Sequence, residues 1–286
     1  MTPPNVALPL PEAVVAPARP RRLGFAIALG VLVLLALAAA FPQLFTGTDP
    51  DAADLGATLA PPGADHWFGT DQNGRDLYAR VVHGVRPSLL IGLGATALAL
   101  VGGILLGTLA AQSGKVVDQL VSRLLDVLLA VPGLLLVFLV AAVMGASGFT
   151  AVIGLAVGAL PGFARVARAE VLRLRGSAFV EAAHGLGWSR ARVVFGHIVP
   201  NALPPVFALG TVSLGAMVVA SSSLSFVGLG PKPPTAEWGA MLAAGRDFLS
   251  IAWWPAVFPG LAITAAVLAI TVVGGRVQSG IERRGR

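Results

Sequence analysis

Long apolar runs, almost free of charge, recur along this chain and decide what it can become. Leu23–Phe41, Leu89–Ala111, Leu125–Met144, Phe149–Ala164, Leu203–Val227 and Pro255–Gly275 each approach or exceed the length needed to cross a hydrocarbon core about 30 Å thick. Backbone inside lipid must satisfy its own hydrogen bonds, so runs of this kind are helices. The expected fold is an all-α membrane protein with six transmembrane helices. Composition agrees, because 56% hydrophobic residues, 12% charged residues and a mean hydropathy of +0.81 lie outside the range of a soluble globular chain.

A net charge of +6 would suit a nucleic-acid binder, but the basic residues sit between the apolar runs and form no patch interleaved with aromatics. They read instead as topology marks, and no nucleic-acid partner is expected. Placing both termini in the cytoplasm leaves outside only Arg75, Arg80, Arg86, Lys232 and Arg246 of the 20 Lys and Arg residues. Arg75, Arg80 and Arg86 crowd the outer approach to the second run, with Asp71 and Asp76 as a partial offset. The chain has no cysteine and only four histidines, without metal-ligand spacing, so no cofactor or metal is expected in this chain.

The order of segments follows. Residues 1–22 form a Pro- and Ala-rich cytoplasmic tail expected to be disordered, ending in Arg19, Arg21 and Arg22. A first membrane helix over 23–45 reads as an anchor rather than a cleaved signal. An external loop over 46–88 then precedes a core of five membrane helices over 89–275. That core contains a cytoplasmic loop at 165–200 and an external loop at 228–254, and residues 276–286 close the chain as a cytoplasmic tail. Trp238, Trp253 and Trp254 in the second external loop read either as headgroup-level anchors or as part of a docking surface.

The cytoplasmic loop carries the most information. It reads Phe179-Val180-Glu181-Ala182-Ala183-His184-Gly185-Leu186-Gly187-Trp188-Ser189 and closes on His197-Ile198-Val199-Pro200-Asn201. Small residues at Ala182 and Ala183 let a short helix approach another surface, Gly187 supplies a turn, and Pro200 restarts the chain as the next span. The series Glu181, Ala182, Ala183, Gly187 and Pro200 resembles the coupling-loop signature of ATP-binding-cassette (ABC) importer permeases. Two further stretches look like the C-type subunits of dipeptide and oligopeptide permeases. One is Phe68-Gly69-Thr70-Asp71-Gln72-Asn73-Gly74-Arg75-Asp76. The other runs from Leu224 to Gly230 and on through Pro233-Pro234 and Trp238-Gly239.

This resemblance implies a type I ABC importer (MetI-like) permease fold with an extra N-terminal helix. It also implies a second permease subunit as heterodimeric partner, two ATPase subunits or domains, an external substrate-binding protein and a peptide substrate, in the plasma (inner) membrane of a prokaryote. Nickel chelates, glutathione or haem, carried by sister systems, stay open as alternative solutes. ATP and Mg would belong to the partner ATPases, because the chain lacks GxxxxGK[ST]: Lys115 follows Gly114, but Leu109 and Val116 occupy the positions of the first Gly and of the Ser/Thr. Gly274–Gly280 departs from the acidic element usual there in the family. The expected sites are coupling at Glu181, Ala182, Ala183, Gly187 and Pro200, and an external motif at Gly69, Asp71, Gly74, Arg75 and Asp76. Ser221, Ser222, Ser223 and Ser225 either line the solute path or bond between helices. Arg123 and Asp126 read as an ion pair on one helix face, and Gly92, Gly94, Gly102, Gly103 and Gly107 as helix packing.

An ATP-independent transporter or channel would place ionisable groups inside the spans, and those after the first hold almost none. A membrane enzyme would need clustered His, Asp or Cys, and His184, His197 and Glu181 lack the spacing.

Overall fold

The computed structural model describes residues 22–284. The tail expected to be disordered lies outside the described residues except for Arg22, which opens helix α1. The helices are α1 (Arg22–Ala40), α2 (Leu77–Gln112), α3 (Lys115–Ala130), α4 (Gly133–Met144), α5 (Gly148–Arg175), α6 (Ala178–Gly185), α7 (Arg190–Val193), α8 (Val199–Phe226), α9 (Trp238–Arg246) and α10 (Trp254–Arg284). A π-helical turn, Val194–Ile198, joins α7 to α8. Among the described residues there is no strand, only two isolated bridges, Ala53 with Arg75 and Thr70 with Asp76. The all-α class is as expected.

Five helices are long and apolar enough to cross a membrane, and α3 with α4 makes a sixth if the pair is one span. The run Leu125–Met144, read as one span, is broken by a 94° turn between α3 and α4. Pro132 has no N–H to continue the ladder, and it pushes Val131 into extended backbone at φ −89°, ψ 127°. Apolarity continues through the break; only the proline announces it.

The other spans overrun their apolar runs. Helix α2 has 36 residues and starts at Leu77, so the last part of the expected external loop, 77–88, is helix. Asp76 sets that start by accepting the Ala79 N–H on Oδ1 at 2.8 Å. Helix α5 passes through Pro161 to Arg175, taking the first part of the expected cytoplasmic loop, and α10 continues to Arg284 through most of the expected tail.

Buried and outward positions follow the logic of lipid as solvent. On α2, Ala95, Ala99, Gly103, Gly107, Ala110 and Ala111 face inward, whereas Leu90, Leu93, Leu98, Leu105 and Leu109 face out. Association between membrane helices draws on close packing rather than on water exclusion, so the small residues belong at the seams. A Cβ at Gly103 or Gly107 would overlap Phe163, Ala164 or Ala167 on α5, which makes α2 against α5 a backbone-to-backbone contact. The packing reading of these glycines agrees with that.

Helix α3 is held to α5 by ion pairs. Arg168 meets Asp118 through Nε at 2.6 Å and Nη2 at 2.7 Å, and Arg165 meets Asp126 at 2.7 Å. The expected pair between Arg123 and Asp126 does not form, because Asp126 is taken by a residue that only tertiary structure brings near.

Candidate functional site

At one end of the molecule, α6 lies across the ends of the spans. Val180 and Ala183 are buried among Ala111 of α2, Val171 and Leu174 of α5, and Val193, Val194 and Ile198 before α8. Two arginines fasten the junction, Arg175 donating to the Ala111 carbonyl at 3.1 Å and Arg190 to the Gln112 carbonyl. These are carbonyls at the C-terminal end of α2, where no intrahelical donor remains and the helix dipole favours a cation.

The residues expected to couple divide by direction. Glu181 and Ala182 are exposed, as is Pro200, the second residue of α8. Ala183 is only 7% exposed and packs on this chain's own core, so its small size serves the seat of α6 rather than an outward contact. Gly187 has φ +80° and ends α6: the Trp188 N–H returns to the Ala183 carbonyl at 3.2 Å and the Leu186 N–H to Ala182 at 3.0 Å. This is a helix stop in which a left-handed glycine lets the orphan carbonyls be met. The turn exposes Leu186, and Phe179 and Phe195 are exposed nearby, leaving an apolar surface on this end. Trp188 stacks on His197 at 5.0 Å, and the Arg192 guanidinium lies 5.8 Å from the Trp188 ring centre.

At the opposite end, residues 46–76 fold against the starts of α2, α9 and α10. Asp71, 6% exposed, accepts the Asn73 and Arg75 N–H groups on Oδ1 at 2.8 and 3.0 Å. Its Oδ2 lies 3.6 Å from Arg75 Nε and 3.5 Å from Arg80 Nε. Arg80, equally buried, also donates to Asp51 at 3.0 Å and to the carbonyls of Pro50 and Pro234 at 2.9 and 3.2 Å. Asp76 caps α2 with one oxygen and meets His66 Nδ1 at 2.8 Å with the other. Gly74, at φ +71°, comes so close to Asp54 that a Cβ would overlap its carbonyl, and Gly69, at φ +75°, packs under Trp254. The motif from Gly69 to Asp76 thus builds a clamp, with its charges turned inward.

Two of the tryptophans complete that clamp instead of standing at the headgroups. Trp238 is fully buried and donates Nε1–H to the Val81 carbonyl at 2.9 Å, and Trp254 donates to Thr70 at 3.1 Å. Only Trp253 is half exposed. Glu237, which sequence reasoning missed, is fully buried and gathers the Gly239 N–H, the Ala240 N–H and the Ser88 hydroxyl at 3.1, 2.9 and 3.2 Å. Its signal was available: an acid directly before Trp238-Gly239, where a helix N-terminus wants an acceptor.

The four serines do not act together. Ser221, Ser222 and Ser225 are buried inside the chain, the last two pressed against Gly239 and Gly230, while Ser223 faces outward.

Residues 103–286 match the family described as binding-protein-dependent transport system inner membrane component. The chain belongs to that family. Among the relatives of this transport component is the probable D,D-dipeptide transport system permease protein DdpC of Escherichia coli (strain K12). It is 38% identical over 248 residues, covering 87% of this chain and 83% of the relative. The dipeptide transport system permease protein DppC of Alkalihalophilus pseudofirmus is 36% identical over 256 residues, covering 90% and 84%. Among solved structures, an inward-facing MetNI methionine ABC transporter superposes with a TM-score of 0.57 at 20% identity, covering 71% of this chain and 96% of the other, which gives the fold. The transport component is a multi-pass inner-membrane protein of the MetI-like fold; its relatives are permease subunits, not enzymes.

Proposed function

We propose that this chain is the permease subunit of an ATP-driven importer for dipeptides or short oligopeptides, pairing with a second permease to form the path. Two ATPase subunits, which bind ATP and Mg, dock on the outer face of α6 and on its counterpart in the second permease, and an external binding protein delivers the peptide to the end built by residues 46–76. Both termini lie in the cytoplasm, a reading that rests on where the Lys and Arg residues fall.

The observation that carries this reading is the two-sidedness of α6. One face is embedded where three spans end, and the other is open, small at Ala182 and apolar at Leu186 and Phe179. Switching a two-state equilibrium from 1:99 to 99:1 takes roughly 5.5 kcal/mol of differential binding, so the docked surface must be seated firmly in the moving part. Glu181, Ala182 and Gly187 present this surface, Ala183 seats it, Pro200 stands exposed at the start of α8, and Ser223 faces the path.

Purification in mild detergent tests the reading. Recovery of a second permease and ATPase chains, with ATP hydrolysis stimulated by peptide and binding protein, is the expected result. Recovery of this chain alone, without any nucleotide response, would overturn it.

A further inference from the structure

Of the three arginines crowding the start of α2, Arg75 and Arg80 are consumed by Asp51 and Asp71, but Arg86 is exposed and has no ion pair or hydrogen bond among the described residues. It stands three residues before the apolar run that begins at Leu89, at the edge of the hydrocarbon. A long basic side chain there reaches to headgroup depth, where lipid phosphates are the nearest anions.

Arg86 also joins two hollows. Below it, a groove of about 560 Å³ runs between α1, α2, α8 and α10, walled by residues such as Leu35, Ala36, Leu93, Leu214 and Val273. Arg86 and Leu90 line this groove and also a shallower hollow of about 410 Å³ above it, formed with Pro50, His83, Pro87, Thr235 and Ala236. His83 Nδ1 sits 2.9 Å from the Ala79 carbonyl, which can only accept, so Nδ1 carries a proton and Nε2 is left open to a ligand. Asp51 borders the upper hollow, its Oδ1 held by Arg80 at 3.0 Å and lying 3.8 Å from Arg75.

We propose that this cleft binds one phospholipid from the leaflet nearest residues 46–76, its phosphate on Arg86 and one acyl chain in the groove. The lining selects the tail: apart from Arg86 and Thr211 the groove wall is apolar, a surface suited to hydrocarbon. Chemistry selects the head, because a guanidinium takes a phosphate through paired, charge-assisted hydrogen bonds. The site does not depend on which side of the membrane this end faces, nor on the transported solute.

Native mass spectrometry of the full chain, extracted in mild detergent with whatever accompanies it, counts the phospholipids retained with the wild type, Arg86→Gln, Arg86→Lys and Ala36→Phe. Wild type and Arg86→Lys should keep one phospholipid that Arg86→Gln releases roughly tenfold more readily and that Ala36→Phe excludes by filling the groove. Thermal midpoints check that each variant is folded; Arg86 and Ala36 are both exposed, so neither change disturbs the core. Equal retention in all four, or loss in only one of the two disruptive variants, would overturn the proposal. So would an Ala36→Cys variant of this cysteine-free chain that cross-links in the groove to a cysteine on a neighbouring subunit.

Discussion

Glu237→Gln changes one atom of a carboxylate that three donors share. With the amide oxygen placed at the Oε1 position, the Ser88 hydroxyl and Gly239 N–H keep an acceptor, but the Ala240 N–H then faces an NH2 group. A buried donor left unmet costs about 1–3 kcal/mol, and the two surviving bonds lose the help of a full charge, so the expected total is about 2–4 kcal/mol. Glu237→Asp should cost less, since Asp still caps a helix although its shorter arm no longer reaches Ser88. Thermal unfolding in detergent reads the effect, and emission from Trp238, buried beside the site, reports it locally. Ser88 both donates to the carboxylate and accepts the Trp238 N–H at 3.1 Å, so Ser88→Ala and Glu237→Gln together should cost less than the sum of the two, by about 0.5–3 kcal/mol. A Glu237→Gln protein melting with the wild type, or strictly additive costs, would refute the shared-acceptor account.

Gly187→Arg should abolish ATP-driven uptake in membrane vesicles without reducing the amount of inserted chain. Gly187→Ala, which has open space but the wrong backbone, should cost about 1–2 kcal/mol locally and only slow uptake; unimpaired uptake with Arg would remove α6 from the docking surface. Gly74→Ala should open the clamp, seen as rapid protease cleavage within residues 46–76, because the added Cβ overlaps the Asp54 carbonyl. Ser223→Trp should lower peptide uptake with ATPase docking intact, while Ser221→Ala, which loses only a bond to the Val218 carbonyl, should transport normally; the opposite ranking would place the path elsewhere.

The apolar runs disclosed that spans exist and roughly where, because lipid demands them, but not where the helices stop. Leu77–Ser88 reads as loop on account of Arg80, His83 and Arg86, yet Arg80 is satisfied by Asp51, Asp71 and two carbonyls, one of them 154 residues away at Pro234. No local pattern encodes such a partner. The turn at Gly187 was legible in the sequence, whereas the inward direction of Ala183 depends on which neighbours surround α6. The serines show the same limit: helical phase puts Ser221, Ser222 and Ser225 near one another, but the approach of Gly239 and Gly230, which helical phase does not encode, covers Ser222 and Ser225.

Helix α2 is fastened at both ends, by Asp76 and the clamp at Leu77 and by Arg175 and Arg190 at the carbonyls of Ala111 and Gln112. Its 36 residues span about 54 Å. It therefore works as a lever: tilting one end displaces the other in proportion, and the seat of α6 follows without any relay of side chains. The one proline inside this helix is Pro87, which gives no N–H to the carbonyl of residue 83, so the backbone ladder is interrupted there. A bend at Pro87 would therefore uncouple the clamp from the seat of α6, and a straight helix would join them.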